Sequence, residues 1–130
     1  MGQQQLLLIV LGVIIVGIAV VVGINVFSAS AASSNREAIT ADLTNLASMA
    51  QQFYRKPLAL GGGGNSFTGW VIPTSFNKTA NMSIAVVATV AAGTVSYVAV
   101  GNETGTNGTT PVSVTMAITP TAITSTTVNN

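Results

Sequence analysis

Few side chains in this chain could do acid–base or nucleophilic chemistry. Histidine and cysteine are absent, and the charged residues are Arg36, Glu37, Asp42, Arg55, Lys56, Lys78 and Glu103. This removes the commonest general base, the thiolate nucleophile and most zinc or haem ligand sets. Glu37 and Asp42 are five apart, so a helix would not place them on one face. Gly61–Gly64 invites comparison with a phosphate-cradling loop, which needs a Lys-Ser/Thr after it and a helix to follow. Here Asn65-Ser66-Phe67-Thr68 follows, and the run reads as a flexible helix-to-sheet connection. No catalytic, cofactor or metal site is expected, and an enzyme is the least expected class. The net charge of +1 leaves no basic patch for phosphate neutralisation, so nucleic acid is not an expected partner. Asn77, Asn81, Asn102 and Asn107 each begin an Asn-x-Ser/Thr acceptor triplet. In so Ser/Thr-rich a chain this is only a mild excess over chance. Asn102 and Asn107, in a polar loop, are the first choices if any carries a glycan.

The elements around these residues are more informative. Leu6–Phe27 runs without a charge, and Asn25 is its one polar side chain. As a helix it spans roughly 33 Å, enough for a bilayer core of about 30 Å. Leu6, Leu7, Ile9, Val10, Val13, Ile14 and Val20 are the residues expected to bury it against lipid or against other copies. Gly12, Gly17 and Gly23 interrupt it, which suits either close approach of neighbouring helices or local unwinding. The neutral start Met1–Gln5 and the long apolar core do not fit a secretory signal peptide, although Ala29-Ser30-Ala31 mimics a cleavage site.

Ser28–Asn35 is a run of small residues, and Ser34-x-x-Glu37 matches a capping box. With no Gly or Pro between Ile24 and Lys56, one continuous helix over about residues 3–56 is expected, about 80 Å long. Its second half carries a single apolar stripe of Ile39, Leu43, Leu46, Ala50 and Phe53. Arg55 and Lys56 suit its last turn, and Pro57 ends it.

Beyond Phe67 the period changes. Trp70-Val71-Ile72, Met82–Val90 and Thr94–Val100 read as strands, the last two joined by a turn at Ala92-Gly93. Gly101–Thr110 reads as a polar loop with an Asn107-Gly108 turn. Val112, Val114, Met116 and Ile118 alternate with polar or small residues, the signature of a half-buried strand. Ala122–Val128 adds an edge strand. The expected class is α+β, a long amino-terminal helix packed on a small carboxy-terminal antiparallel sheet. The expected segments are the hydrophobic helix (1–27), its amphipathic half (28–56), a connecting loop (57–66) and a sheet domain (67–130).

A greasy helix running into an amphipathic one, then a glycine loop and a small sheet, resembles the type IV pilin and pseudopilin family. The resemblance rests on Leu6–Phe27, the stripe from Ile39 to Phe53, and the exit Tyr54-Arg55-Lys56-Pro57. It covers residues 1–57. It implies a filament whose core is a bundle of such helices and whose coat is the sheet domains, with other copies of the chain as partners. It also implies a membrane-held precursor in the inner or cytoplasmic membrane, a basic leader removed before Met1, and an extracellular filament as the final location. Gln5 stands where the family usually has a glutamate that pairs with the first residue's amine. An amide still hydrogen-bonds an amine, without the charge-assisted part. The alternatives are a single-pass anchored surface or adhesion domain, and a pseudopilin of a secretion apparatus.

Overall fold

The computed structural model describes residues 2–129, with side chains for all of these except 84–88, 125–127 and 129. The first element, α1 (Gly2–Arg55), is one uninterrupted helix of 54 residues, about 80 Å long at 1.5 Å per residue. Gly12, Gly17 and Gly23 lie within it with open space where a Cβ would stand. Nothing breaks it at Ser28–Asn35, because that run lacks proline and its small side chains leave the ladder of backbone hydrogen bonds undisturbed.

The expected stripe is the buried face. Ile39, Leu43, Leu46 and Ala50 are fully buried, and Phe53 is half-buried. They rest on a four-stranded antiparallel sheet of β1 (Met82–Val90), β2 (Val95–Thr104), β3 (Pro111–Ile118) and β4 (Ile123–Asn129), ordered as in the sequence. The sheet gives one face to the helix. Val95, Tyr97 and Ala99 of β2 and Val112, Val114, Met116 and Ile118 of β3 are buried, and the residues between them are half-exposed. The pairing of Tyr97 with Met116 and of Ala99 with Val114 keeps the two apolar sets in register, since a slip of one residue would turn either set to water.

Two expectations need correction. Trp70-Val71-Ile72 is not a strand. Gly69 has φ of 89° and the Trp70 N–H donates to the Phe67 carbonyl in a turn, after which Pro73 has no N–H to give a ladder. A short helix, α2 (Thr74–Asn77), follows instead. The strand expected to end at Val100 runs on to Thr104 and takes in the first part of the polar loop. Gly101 permits this, because a Cβ there would collide with the side-chain oxygen Oδ1 of Asn35 and lie 2.8 Å from Ile39 Cδ1. The turn at Asn107-Gly108 forms, with the Gly108 N–H donating to Gly105 and Gly108 at φ 72°.

The glycine run is a cap as well as a connection. The last carbonyls of a helix have no partner within it. Here the Gly63 N–H donates to the Phe53 carbonyl at 2.8 Å, Gly64 to Lys56 at 2.9 Å and Asn65 to Tyr54 at 2.8 Å. Gly61, Gly64 and Asn65 all have positive φ, which glycine and asparagine reach at least cost. Chain 61–65 thus folds back over the end of α1 and closes it.

Candidate functional site

The strongest functional feature is the stem of α1. From Leu6 to Phe27 every large apolar side chain is between 52% and 76% exposed, and the segment meets no core of its own chain. The expected assembly residues Leu6, Leu7, Ile9, Val10, Val13, Ile14 and Val20 all belong to this uncovered surface. This helix is long and apolar enough to cross a membrane. Gln5 is exposed at its start, and the amine it would pair with belongs to Met1, outside the described residues.

The stem and the sheet half meet differently with solvent. Beside the buried stripe and away from it, the half-buried Thr40 hydroxyl donates to the Arg36 carbonyl at 2.9 Å, and the exposed Thr44 and Ser48 hydroxyls donate to Thr40 at 2.7 Å and Thr44 at 3.1 Å. Each hydroxyl is therefore satisfied by its own helix. Ala41 lies on the same exposed side. The exposed residues of this stretch are Ala41, Thr44, Asn45 and Ser48, and the two hydroxyls among them are occupied within the helix.

The charged residues do not converge. Asp42 is a structural acceptor, taking hydrogen bonds from the Thr79 hydroxyl at 3.3 Å and the Asn81 amide at 3.5 Å. Glu37 is exposed on the solvent side of α1, and Glu103 is exposed on β2. Among the described residues no group of three His, Cys, Asp or Glu could hold a metal ion.

The acceptor asparagines have distinct settings. Asn77 ends α2 and is exposed, whereas Asn81 is half-buried. The Asn102 amide donates to the Ala80 carbonyl at 2.7 Å. Asn107 accepts from the N–H groups of Thr109 and Thr110, each at 3.1 Å, and donates to the Thr110 hydroxyl, which ties up the tip of the β2–β3 loop.

Three buried polar groups were not visible in the sequence. Asn35 lies on the apolar side of α1 and is 9% exposed, with its amide donating to the Asn81 carbonyl at 2.9 Å. Its carbonyl oxygen has no partner. Its place four residues before Ile39 was the available signal. Trp70 and Tyr97 supply the other two. Trp70 stacks at a tilt on Phe53 with centroids 5.3 Å apart, and its indole N–H and the Tyr97 hydroxyl are buried without hydrogen bonds. Burial pushes the Tyr97 phenol well above its ordinary value of 10.0, and the nearby Trp70 indole acts in the opposite direction without cancelling it.

A tyrosine with a raised value in the folded chain keeps its proton after the unfolded chain has lost it. Its stabilising contribution is complete below about pH 10 and declines above that. Stability measured by denaturant melts should fall as pH rises past 10. Tyr97→Phe should flatten that fall and raise neutral-pH stability by about 1 kcal/mol, since a buried hydroxyl without a partner is removed. An unchanged alkaline slope in the variant would assign the fall to other groups.

Comparison with protein-family models, curated proteins and solved structures finds no match for this chain.

Proposed function

We propose that the chain is the structural subunit of an extracellular helical filament of the type IV pilus kind, assembled by lateral packing of Leu6–Phe27 from many copies. The observation that carries the reading is the uncovered stem, apolar on all sides and without a burial partner in its own chain. Burying a large apolar side chain is worth on the order of 1.5–3 kcal/mol, so a stem of this length has a strong drive to be covered. Lipid covers it before assembly, when the precursor sits in the cytoplasmic membrane. Neighbouring stems cover it afterwards. A heterologous contact that does not close generates an open helical array. The sheet domain, with few charges and many Thr and Ser, then forms the outer coat.

A second reading, a single-pass anchored surface domain that binds or adheres through its sheet, is favoured by one observation. The helix is long enough and apolar enough to cross a membrane. It leaves unexplained why the same helix continues without a break for the full length of the sheet domain. Negative-stain electron microscopy of the native protein separates the two. Thin fibres with a regular helical repeat are expected. Monomers or detergent micelles without fibres would sink the filament reading.

A further inference from the structure

We propose that Asn107 is a latent deamidation site, which the folded β2–β3 loop holds closed and an opened loop releases. The site belongs to the sheet domain and does not depend on the filament reading.

Asn107-Gly108 is the one Asn-Gly pair in the sequence. An asparagine before glycine is open to ring closure, because glycine has no side chain to shield its own nitrogen. In that reaction the Gly108 nitrogen bonds to Asn107 Cγ and the Cγ–Nδ2 bond breaks. The proton lost from the Gly108 nitrogen, relayed through water, ends on Nδ2, which departs as ammonia. Water then opens the five-membered imide at either carbonyl, giving aspartate or isoaspartate. Residues 107–110 are exposed, so water is at hand and burial does not shield the site.

The turn itself requires the vulnerable pair. Gly108 has φ of 72°, a conformation that glycine reaches at least cost. A β-branched residue there would shield the nitrogen, but it does not suit that backbone. Protection has to come from the rest of the loop.

The loop supplies it at both reacting groups. The nucleophile is engaged, since the Gly108 N–H donates to the Gly105 carbonyl at 3.0 Å. The electrophile is held at both ends of its amide. Oδ1 accepts from the N–H groups of Thr109 and Thr110, each at 3.1 Å, and Nδ2 donates to the Thr110 hydroxyl at 2.6 Å. The amide is thereby held toward the two residues beyond Gly108. Below the tip, the Gly105 N–H donates to the Thr110 carbonyl at 2.8 Å and Thr104 pairs with Pro111. Ring closure must release the Gly108 N–H and swing the amide off its partners. Each such bond given up on the way to the transition state slows the step by up to about ten-fold.

The modification would alter the loop. Either product brings the net charge of the chain from +1 to zero. Isoaspartate also lengthens the main chain by one carbon, inside a turn set by the bond from Gly108 to Gly105.

The test follows the full chain, held in detergent in a mildly alkaline buffer, by peptide mapping for aspartate and isoaspartate at Asn107. The native chain should convert roughly ten-fold more slowly than the same chain in urea that unfolds the sheet domain, or slower still. Thr110→Val removes the hydroxyl that receives the Asn107 amide. It should speed native conversion several-fold and leave the rate in urea unchanged. Thr110→Ser keeps that hydroxyl and should match the unmodified chain. Circular dichroism checks that both variants are folded before their rates are compared. Equal rates for the native and the urea-unfolded chain would overturn the proposal. A folded Thr110→Val chain that converts no faster than Thr110→Ser would overturn it as well.

Discussion

Val13→Gln combined with Val20→Gln should abolish fibres while leaving the sheet domain folded. The two valines are 67% and 54% exposed in the single chain, so no contact within it is lost and the thermal melt of the sheet domain should be unchanged. In a bundle of stems the same positions are dry. Each glutamine would then bury an amide, at a cost of about 1–3 kcal/mol when its hydrogen bonds are incomplete. The cost recurs in every subunit, and assembly is a cooperative sum over subunits, so a partial loss per contact becomes an all-or-none loss of fibre. Electron microscopy reads the fibres, and circular dichroism reads the fold. If the chain were only a membrane anchor, the change would appear as a lower membrane-bound fraction, with no fibre to lose. Fibres at normal yield from the double variant would show that the stem is not the packing element.

Gly63→Ala should destabilise the sheet domain by about 3 kcal/mol, from overpacking and from lost cap bonds together. An added Cβ would collide with the Ser66 carbonyl oxygen, a backbone atom that cannot swing aside, and would lie 2.9 Å from Phe53 Cε1. Relief requires the loop to move, and with it the Gly63, Gly64 and Asn65 N–H groups that close the end of α1. For a domain of about a hundred residues this corresponds to a melting shift of roughly 10–20 °C. Gly93→Ala is the control. It lies in the β1–β2 turn with open space around it, and the change should stay within about 0.5 kcal/mol. Equal melting temperatures for the two variants would mean that 61–65 is a passive connection.

Residues that were legible in the sequence share one property: their environment repeats with a local period. Leu6–Phe27 is apolar at nearly every position, so no partner needs to be known to see that it must be covered. Ile39, Leu43, Leu46 and Ala50 recur at helical spacing and were all found buried. Val112, Val114, Met116 and Ile118 alternate as β3 does. Periodicity fixes which side of an element is apolar, because 3.6 and 2 residues per repeat are properties of the backbone alone.

What the tertiary structure decided lies where two distant segments touch. Asn35 is buried because it reaches the carbonyl of Asn81, 46 residues away, and no pattern within α1 marks that bond. Gly101 is needed because the helix passes over it, so β2 continues where composition alone indicated a loop. Trp70 left the strand class for a turn because its ring packs on Phe53 and Pro73 closes the ladder. The glycines of 61–64, read as a tether, close the helix because the orphan carbonyls of Phe53, Tyr54 and Lys56 lie within reach. Local sequence determined the rod, its uncovered stem and the faces of the strands, since each follows from backbone periodicity and hydration. The third dimension alone decided where the rod and sheet approach most closely, since that depends on which atoms meet across the chain.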